Sequence, residues 1–265
     1  MTFCEFDRLF SRTVPHILER IFFSLDYDSF MASRKVCKAW NELYSSELYQ
    51  QKAKKLLEEK MYNEKKLWQY SFAGNDREVG NLLASGVNVN CVPEGTGMKA
   101  NCEAYGKTPL HIAAMKGHKN VVKLLLDAGA DPNREDNGKN NALYWPANDG
   151  DTAMVKLLLK GGANINKAGR YGLTPLHLAA GNDFTETAKA LLDAGADLNA
   201  ADWDGKTPLH IAECNGHNNV VDMLLNAGAD PDLRNIKGQS SFDIMGNRSA
   251  IKLPLKHKKK RKKMN

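Results

Sequence analysis

Apolar residues recur along most of the chain at a constant interval of 33 residues. Leucine marks the same place in four successive units, at Leu110, Leu143, Leu176 and Leu209. Around these leucines the chain has TPLHIAA at 108–114, NALYWPA at 141–147, TPLHLAA at 174–180 and TPLHIAE at 207–213. A second pattern keeps the same interval, with LLLDAGADPN at 124–133, LLLKGGANIN at 157–166, ALLDAGADLN at 190–199 and MLLNAGADPD at 223–232. A unit this short cannot bury its own apolar face, so the pattern predicts a stack of helical units.

Each unit carries residues that favour the start and the end of a helix. Threonine and proline suit the N-cap and the first helical turn, at Thr108 and Pro109, Thr174 and Pro175, and Thr207 and Pro208. Glycine suits the left-handed position that ends the second helix, at Gly129, Gly162, Gly195 and Gly228. Each unit is therefore predicted to hold two antiparallel helices and a short β-hairpin-like loop, which we call a finger.

The 33-residue period with these motifs resembles ankyrin repeats. The resemblance implies a mainly α-helical solenoid over residues 64–247. Its predicted parts are an N-terminal cap repeat at 64–92, an insertion at 93–102, full repeats at 103–135, 136–168, 169–201 and 202–234, and a C-terminal half repeat at 235–247. The insertion, rich in glycine, is predicted to be a loop. It either reaches a ligand or is simply tolerated.

The repeat at 136–168 is irregular. Pro146 falls about five positions into its first helix, where proline removes a backbone hydrogen bond and clashes with the preceding turn, at a cost of roughly 3 kcal/mol. Tyr144 and Trp145 replace the usual histidine and small apolar residue. The sequence predicts a kinked helix, which is either local drift or the shaping of a pocket for a target.

A different apolar pattern lies near the N-terminus. Ile17, Leu18, Ile21, Phe22 and Leu25 fall within about 140° of one helix. The segment is too short to bury a core alone, and so apolar a surface indicates a partner. Phe22 and Leu25 are equally suited to packing among the segment's own helices.

Residues 14–40 resemble an F-box, a three-helix module that docks on the Skp linker of SCF ubiquitin ligases. The matching positions are Pro15, Ile17, Leu18, Ile21, Leu25, Asp26, Asp28, Phe30, Arg34, Val36, Cys37, Lys38 and Trp40. Val14 and His16 stand where the family has leucine and glutamate. The resemblance implies an F-box at 11–46 whose linker contacts are Pro15, Ile17, Leu18, Ile21, Val36 and Trp40. The competing interpretation is an unrelated helical hairpin packed against the solenoid.

Residues 47–63 join the two predicted modules. Leu48, Tyr49, Ala53, Leu56 and Leu57 share one half of a helix, and no run of glycine, proline or serine interrupts them. We expect a helix fused to the first repeat. Such a rigid arm would hold a bound target at a fixed distance from a source of ubiquitin.

The charge of the chain is unevenly placed. The formal net charge is +6, yet the segment 252–263 alone holds eight Lys or Arg, so the remainder is near −2. The tail at 248–265 is expected to be disordered by self-repulsion. Lys258, Lys259, Lys260, Arg261, Lys262 and Lys263 resemble a nuclear-import signal. A nonspecific electrostatic role and a merely solvated tail are the alternatives, and the absence of interleaved aromatics argues against nucleic acid.

Other classes of protein are disfavoured. The five cysteines show no CxxC spacing, which fits a reducing compartment, and neither a zinc site nor a disulfide at Cys91 and Cys102 is supported. No apolar run approaches the roughly 18 residues of a membrane span, and the first residues do not form a secretory signal. His111, His177 and His210 are about 10 Å apart at the spacing of packed helices, too far for one zinc ion, and are expected to bond the finger backbone. We expect no cofactor, no metal, no small-molecule substrate and no catalytic residues.

A target surface is predicted on the finger tips and the inner-helix face of the repeats. Its candidate residues are Tyr105, Lys107, Met115, Lys116, Tyr144, Trp145, Arg170, Tyr171, Trp203, Asp204, Lys206, Cys214 and Asn215. Exposed Tyr, Trp and Arg are typical binding anchors. Packing of finger on finger is the other explanation for the aromatic residues.

Together these features predict a non-catalytic substrate receptor of an SCF-type ubiquitin ligase, monomeric outside the complex. Its partners would be the Skp linker, a cullin and a protein target. It would act in the cytoplasm or nucleus, or in a host cell if the chain is a pathogen effector. The alternative is an ankyrin scaffold or inhibitor with no ligase partner. A SOCS-box protein is disfavoured because only Leu253, Pro254 and Leu255 hint at such a box.

Overall fold

A computed structural model describes residues 47–92 and 106–246. The chain divides into two units, residues 1–60 and residues 61–265. The predicted F-box at 11–46, the insertion at 93–102, Tyr105 and the basic tail at 248–265 all lie outside the described residues. Predictions about them therefore stay predictions.

The first helix, α1 (Glu47–Ala73), is long and polar over much of its surface. Glutamate, lysine, leucine and glutamine dominate it, and all are good helix formers. Residues 47–60 of α1 belong to the first unit, where Leu56 and Leu57 are exposed. The predicted linker at 47–63 lies within this helix. The role of the linker as a rigid arm stays a prediction.

The second unit contains the last part of α1 and ten further helices among its described residues. These are α2 (Asp76–Ala84), α3 (Pro109–Met115), α4 (Lys119–Asp127), α5 (Tyr144–Asp149), α6 (Thr152–Lys160), α7 (Pro175–Gly181), α8 (Thr185–Asp193), α9 (Pro208–Asn215), α10 (Asn218–Ala227) and α11 (Ser241–Gly246). A short 3₁₀ turn occupies Arg170–Gly172.

The helices of this unit pack as two rows. The inner row runs α3, α5, α7, α9 and α11, and each helix contacts the next; the outer row runs α2, α4, α6, α8 and α10 in the same way. Between the rows lies one apolar core, in which the four periodic leucines are at most 1% exposed. The predicted stack of helix pairs is confirmed, because each pair completes its core only against its neighbours.

The predicted helix ends are confirmed as well. Thr108, Thr174 and Thr207 are N-caps with proline in the first turn of α3, α7 and α9. Each threonine forms a capping box with the histidine three residues later, which takes the place of the glutamate common in such boxes. The glycines after α4, α6, α8 and α10 have positive φ.

The expectation of β-hairpin-like fingers is not confirmed. Residues 47–92 and 106–246 contain no β-strand, and the only bridge there is an isolated antiparallel one between Arg234 and Ser240. The fingers are instead tight turns. Asp136, Gly169, Asp202 and Asn235 each donate a backbone N–H to the carbonyl four residues later.

The predicted kink at Pro146 is wrong. Helix α5 begins at Tyr144, so Pro146 lies in its first turn. The backbone N–H groups of the first turn make no hydrogen bond within the helix, whichever residues stand there. The delayed start follows from Asn141, which stands where other repeats have threonine. Its side-chain oxygen accepts from the N–H of Leu143 at 3.1 Å and its carbonyl accepts from the N–H of Tyr144 at 3.2 Å. This turn replaces the first helical turn, and the proline removes no hydrogen bond.

A ladder of asparagines links successive repeats. The side-chain oxygens of Asn90, Asn133, Asn166 and Asn199 each accept a backbone N–H from the following repeat, donated by Asp131, Asn164, Asp197 and Asp230 respectively. Each of these four donor residues also accepts, through its own side-chain Oδ1, the backbone N–H of the residue two positions later. The ladder fixes the register of one repeat on the next.

Replacing Lys139 with glycine is expected to stabilise the repeat unit. Lys139 has φ of 61° at a position where the other fingers have Gly106, Gly172, Gly205 and Gly238. A residue with a side chain pays roughly 1–2 kcal/mol for left-handed backbone, and replacing Lys139 with glycine removes this cost from the folded state. Glycine also has more conformational freedom in the unfolded chain, which takes back about 0.4–1 kcal/mol of the gain in stability. The urea midpoint should rise by an amount equivalent to about 0.5–1 kcal/mol at unchanged m value.

The matched control is Lys123→Gly, the same change at an exposed position inside α4. There glycine should lower the free energy of unfolding by about 1 kcal/mol. If Lys139→Gly also lowered it, the left-handed backbone of Lys139 would not be a source of strain.

Candidate functional site

Three of the four described fingers are built around one acidic or amide side chain. The Oδ1 atoms of Asp136, Asp202 and Asn235 each accept the backbone N–H groups two and four residues later, at 2.7–3.1 Å. The side chain replaces the ladder bonds that a hairpin would supply. Each tip is therefore held in a fixed conformation without help from a neighbouring strand.

The finger of residues 169–173 uses its neighbour instead. Gly169 stands where the others have Asp or Asn, and the Oδ1 of Asn140, from the preceding finger, accepts the N–H of Arg170 at 3.0 Å. A Cβ on Gly169 would lie 2.2 Å from that oxygen, so a larger residue would displace the Asn140 side chain from this hydrogen bond. In this finger Tyr171 has a positive φ of 62°, a strained conformation for a residue with a side chain.

Neighbouring tips are bonded to one another. The N–H of Trp203 donates to the carbonyl of Tyr171 at 3.0 Å, and the N–H of Ile236 donates to the carbonyl of Asp204 at 2.9 Å. A Cβ on Gly172 would come within 2.6 Å of the Trp203 ring. The tips at 170–172, 203–206 and 236–238 are thus joined to one another, and Asn140 joins the finger of the tip at 137–139 to Arg170. We call these four tips the finger-tip ridge.

The ridge exposes large apolar side chains. Tyr171 is 53% exposed, Trp203 68% and Ile236 71%. The rings of Tyr171 and Trp203 meet edge to face with centroids 6.0 Å apart, and the guanidinium of Arg170 lies 4.8 Å from the centre of the Tyr171 ring. The rings of Tyr171 and Trp203 therefore pack on each other across two fingers, and each residue still exposes half or more of its surface to solvent.

The structure separates the predicted target residues into three groups. Exposed are Lys116, Arg170, Tyr171, Trp203, Asp204, Cys214 and Asn215. Partly buried are Met115, Tyr144, Trp145 and Lys206. Lys107 is buried, and Tyr105 lies outside the described residues.

The prediction that Lys107 faces a target is wrong. Its ammonium lies 3.5 Å from the Oδ2 of Asp136, and both side chains are at most 6% exposed. Its carbonyl accepts the indole N–H of Trp68 at 3.2 Å. A buried charge of this kind needs its partner, so Lys107 joins two repeats and is not available as a contact.

Tyr144 and Trp145 pack beside that ion pair. The Lys107 ammonium lies 5.7 Å from the centre of the Trp145 ring, and the two aromatic rings meet edge to face at 5.3 Å. Burial raises the pKa of the Tyr144 hydroxyl. The Nε1 of Trp145 is buried with no hydrogen-bond partner in the described part of the chain. These residues therefore contribute more to packing than to an exposed surface.

Two predicted contacts on the inner helices bridge repeats. The Lys116 ammonium lies 4.7 Å from the centre of the Phe72 ring, and Asn215 donates from Nδ2 to the carbonyl of Gly181 at 2.8 Å. Both side chains stay exposed. Lys116 and Asn215 are therefore held by contacts with a neighbouring repeat and are still accessible to a target.

The three periodic histidines contact finger backbone, as predicted. The Nε2 atoms of His111, His177 and His210 donate to the carbonyls of Asn140, Lys206 and Gln239 at 2.9–3.1 Å. Their Nδ1 atoms lie 2.8 Å from the hydroxyls of the threonine caps. Burial lowers the pKa of His111 and His177, which keeps both rings neutral.

The sequence analysis missed three residues of the ridge. Ile236 follows Arg170 and Trp203 at intervals of 33 residues, and Lys237 follows Tyr171 and Asp204 in the same way. Lys139 sits at the tip of the finger before them. Extending the register through the half repeat would have found Ile236 and Lys237, because the finger continues after the last complete helix pair.

Outside the ridge, three properties of the described residues bear on metal binding, thiol chemistry and membrane insertion. No cluster of three or more His, Cys, Asp or Glu with the arrangement of a metal site occurs within 47–92 and 106–246. Cys91 is a buried free thiol whose pKa is raised to about 12, first by burial and then by the charge of Glu64. No helix in the described ranges is both long enough and apolar enough to span a bilayer.

The comparison with known families agrees with this architecture. The family model for ankyrin repeats (3 copies) matches residues 67–169 and 143–235, which is more than half of the chain. The chain therefore belongs to the ankyrin-repeat proteins, a class whose repeats bind other proteins.

A curated mouse protein, ankyrin repeat domain-containing protein SOWAHD, is similar over a short stretch. The two are 49% identical over 41 residues, which is 15% of this chain and 12% of that protein. The chain thus matches only a small part of the length of this relative.

Proposed function

We propose that this chain is the substrate-recognition adaptor of an SCF-type ubiquitin ligase. The F-box-like segment at 11–46 would dock on the Skp linker and, through it, on a cullin. The ankyrin repeats would hold a protein target. The observation that carries the proposal is the pairing of two binding elements, the F-box pattern around Pro15, Ile17 and Trp40 and an array with an exposed aromatic ridge.

In this proposal the chain is an adaptor and not an enzyme. Its residues bind and orient the target, and other subunits make the bond between ubiquitin and a lysine of that target. Holding two reactants together raises their effective concentration, which is a large part of the rate gain available to such a complex.

The test is capture of ligase subunits by the full chain. The wild type, mixed with a eukaryotic Skp linker and a cullin, is expected to elute as a stoichiometric complex on size exclusion. The Ile17→Asp/Ile21→Asp variant should lose the complex, because two charges would face the apolar surface of the linker.

A control separates docking from target binding. Trp203→Ala/Ile236→Ala changes two exposed ridge residues and should capture the linker as the wild type does. Failure of the wild type to bind, or binding by the Ile17→Asp/Ile21→Asp variant equal to wild type, would refute the ligase proposal.

A second candidate is an ankyrin scaffold or inhibitor without a ligase partner, including an effector that acts in a host cell. It is favoured by the family match, which begins at residue 67 and accounts for protein binding without any F-box. Loss of linker capture together with intact target binding would select it.

We also propose action in the cytoplasm or the nucleus, with import directed by the basic tail. The support is the run of six Lys and Arg at 258–263. A fluorescent fusion lacking residues 252–265 should have a lower nuclear fraction than the full chain, and an unchanged fraction would refute import by the tail.

A further inference from the structure

Positive charge is distributed along the finger-tip ridge. Lys139, Arg170 and Lys237 lie on three different tips, and all three are exposed. None of them has an ion-pair partner among the described residues. On the remaining tip, the Lys206 ammonium lies 3.1 Å from Asp204 and its pKa is raised by that hydrogen bond, so the pair is locally neutral. The ridge as a whole is cationic.

The acidic groups near the tips are engaged elsewhere. Asp202 uses one carboxylate oxygen to accept two backbone N–H groups within its own turn. Asp136 is buried against Lys107, and Glu135 is bridged to Lys167. None of these three acidic groups forms an ion pair with Lys139, Arg170 or Lys237.

The apolar side chains lie between these cations in a regular order. Reading from finger to finger, the tips offer Lys139, then Arg170 with Tyr171, then Trp203, then Ile236 with Lys237. Packed repeats are about 10 Å apart, and a chain in the polyproline II conformation rises about 3.1 Å per residue with three residues per turn. Every third side chain of such a chain therefore points to the same side, and successive ones laid along the ridge would meet successive fingers.

We propose that the finger-tip ridge binds an acidic segment of a partner protein in the polyproline II conformation, with an apolar residue at every third position. The apolar residues would pack on Tyr171, Trp203 and Ile236, and the intervening carboxylates would face Lys139, Arg170 and Lys237. The inference rests on the proposed function of protein recognition and gives the chemistry of the segment recognised. Such a surface disfavours a basic segment, because Lys139, Arg170 and Lys237 would repel its positive charges.

Geometry favours a peptide over single-stranded nucleic acid. Nucleic acid is read by cationic grooves with aromatic faces on which bases stack. Here the two exposed rings lie at 82° to each other, so they offer no parallel platforms, and the third apolar group is the aliphatic Ile236. The backbone carbonyls of Tyr171 and Asp204 already accept hydrogen bonds from neighbouring tips. A ligand of the ridge would therefore contact mainly its side chains.

The experiment measures fluorescence anisotropy with synthetic probes and the full chain. The probe is a fluorescein-labelled peptide of about twelve residues with leucine at every third position and glutamate elsewhere, long enough to cross four fingers. It is expected to bind, and its affinity should fall as salt rises. The counterpart with lysine in place of glutamate, and an oligothymidylate of similar length, should bind at least about tenfold more weakly.

Two charge-reversal variants with the same net charge locate the site. Arg170→Glu/Lys237→Glu should raise the dissociation constant of the glutamate probe about tenfold or more, since it places negative charge at the proposed contacts. Lys123→Glu/Lys156→Glu changes two exposed residues of the outer helices α4 and α6 and should leave the constant within about twofold of wild type. Trp203→Ala should weaken binding without changing its salt dependence.

Several results would overturn the inference. They are no binding of the glutamate probe, tighter binding of the lysine peptide or the oligothymidylate, and equal effects of the two charge-reversal variants. Linker capture by the same protein preparation is measured in parallel. Retained capture with failed peptide binding would reject the acidic-segment inference alone, and lost capture with ridge-dependent peptide binding would reject the ligase proposal alone.

Discussion

Replacing Asp136 with alanine is expected to lower the free energy of unfolding of the repeat unit by about 3–5 kcal/mol. The Asp136 carboxylate accepts hydrogen bonds from the N–H of Gly138 at 2.8 Å and the N–H of Asn140 at 3.0 Å, and it lies 3.5 Å from the ammonium of Lys107. Without it, the Lys107 charge stays buried with no counter-charge, and the turn that supports Asn140 loses its centre. Asn140 in turn holds Arg170 of the next finger, so the damage crosses a repeat boundary.

Urea unfolding followed by circular dichroism measures the effect, and Asp202→Ala is the matched control. Asp202 makes the same two turn hydrogen bonds without a buried cation beside it. Its loss should cost about 1–2 kcal/mol, the range for removing a hydrogen-bonding partner. Adding Lys107→Met to Asp136→Ala should recover much of the loss, because it removes the unpaired charge. Equal costs for Asp136→Ala and Asp202→Ala would show that the buried ion pair contributes nothing.

The repeat unit is also expected to lose stability as the pH falls from about 7.5 to about 5.5. His111 and His177 have pKa values below the ordinary 6.5, chiefly because burial disfavours the charged ring, although Asp136 and Asp202 nearby act in the opposite direction. The unfolded chain therefore binds protons near pH 6.5 that the folded chain does not. The contribution of the two neutral histidines to the free energy of unfolding is complete above pH 6.5. It declines as the pH falls toward the lower pKa values of the folded state.

Each such histidine can change the free energy of unfolding by at most about 1.4 kcal/mol per pH unit, so the pair sets a limit near 2.7 kcal/mol per unit. Urea midpoints at the two pH values give the slope. The His111→Gln/His177→Gln variant keeps a side-chain N–H donor but has no titrating ring. It should be less sensitive to pH over this window, and a slope equal to wild type would show that these histidines are not the cause.

Much of the repeat architecture could be predicted because its signals are local and periodic. The Thr–Pro starts, the glycine stops and the 33-residue interval all act within a single unit and recur in the next. Thr108, for example, caps α3 through bonds to His111, three residues away. Such short-range chemistry is visible in a sequence before any tertiary structure is known.

The failures concern residues whose role depends on another repeat or on the exact start of a helix. Lys107 looked like an exposed finger residue, but its burial follows from Asp136, 29 residues later. Pro146 looked like a kink, but the turn made by Asn141 shifts the start of α5 to Tyr144. Ile236 was overlooked because the last finger belongs to an incomplete repeat, although its register is the same.

The asparagine ladder has a mechanical consequence. Its bridges, from Asn90 to Asp131 through Asn199 to Asp230, each join one repeat to the next, and no bridge skips a neighbour. Force applied to the array would therefore load these links in series. A repeat at the end has one boundary to lose and an inner repeat has two, so tension should peel the array from its ends, one repeat after another, while the remaining repeats stay folded.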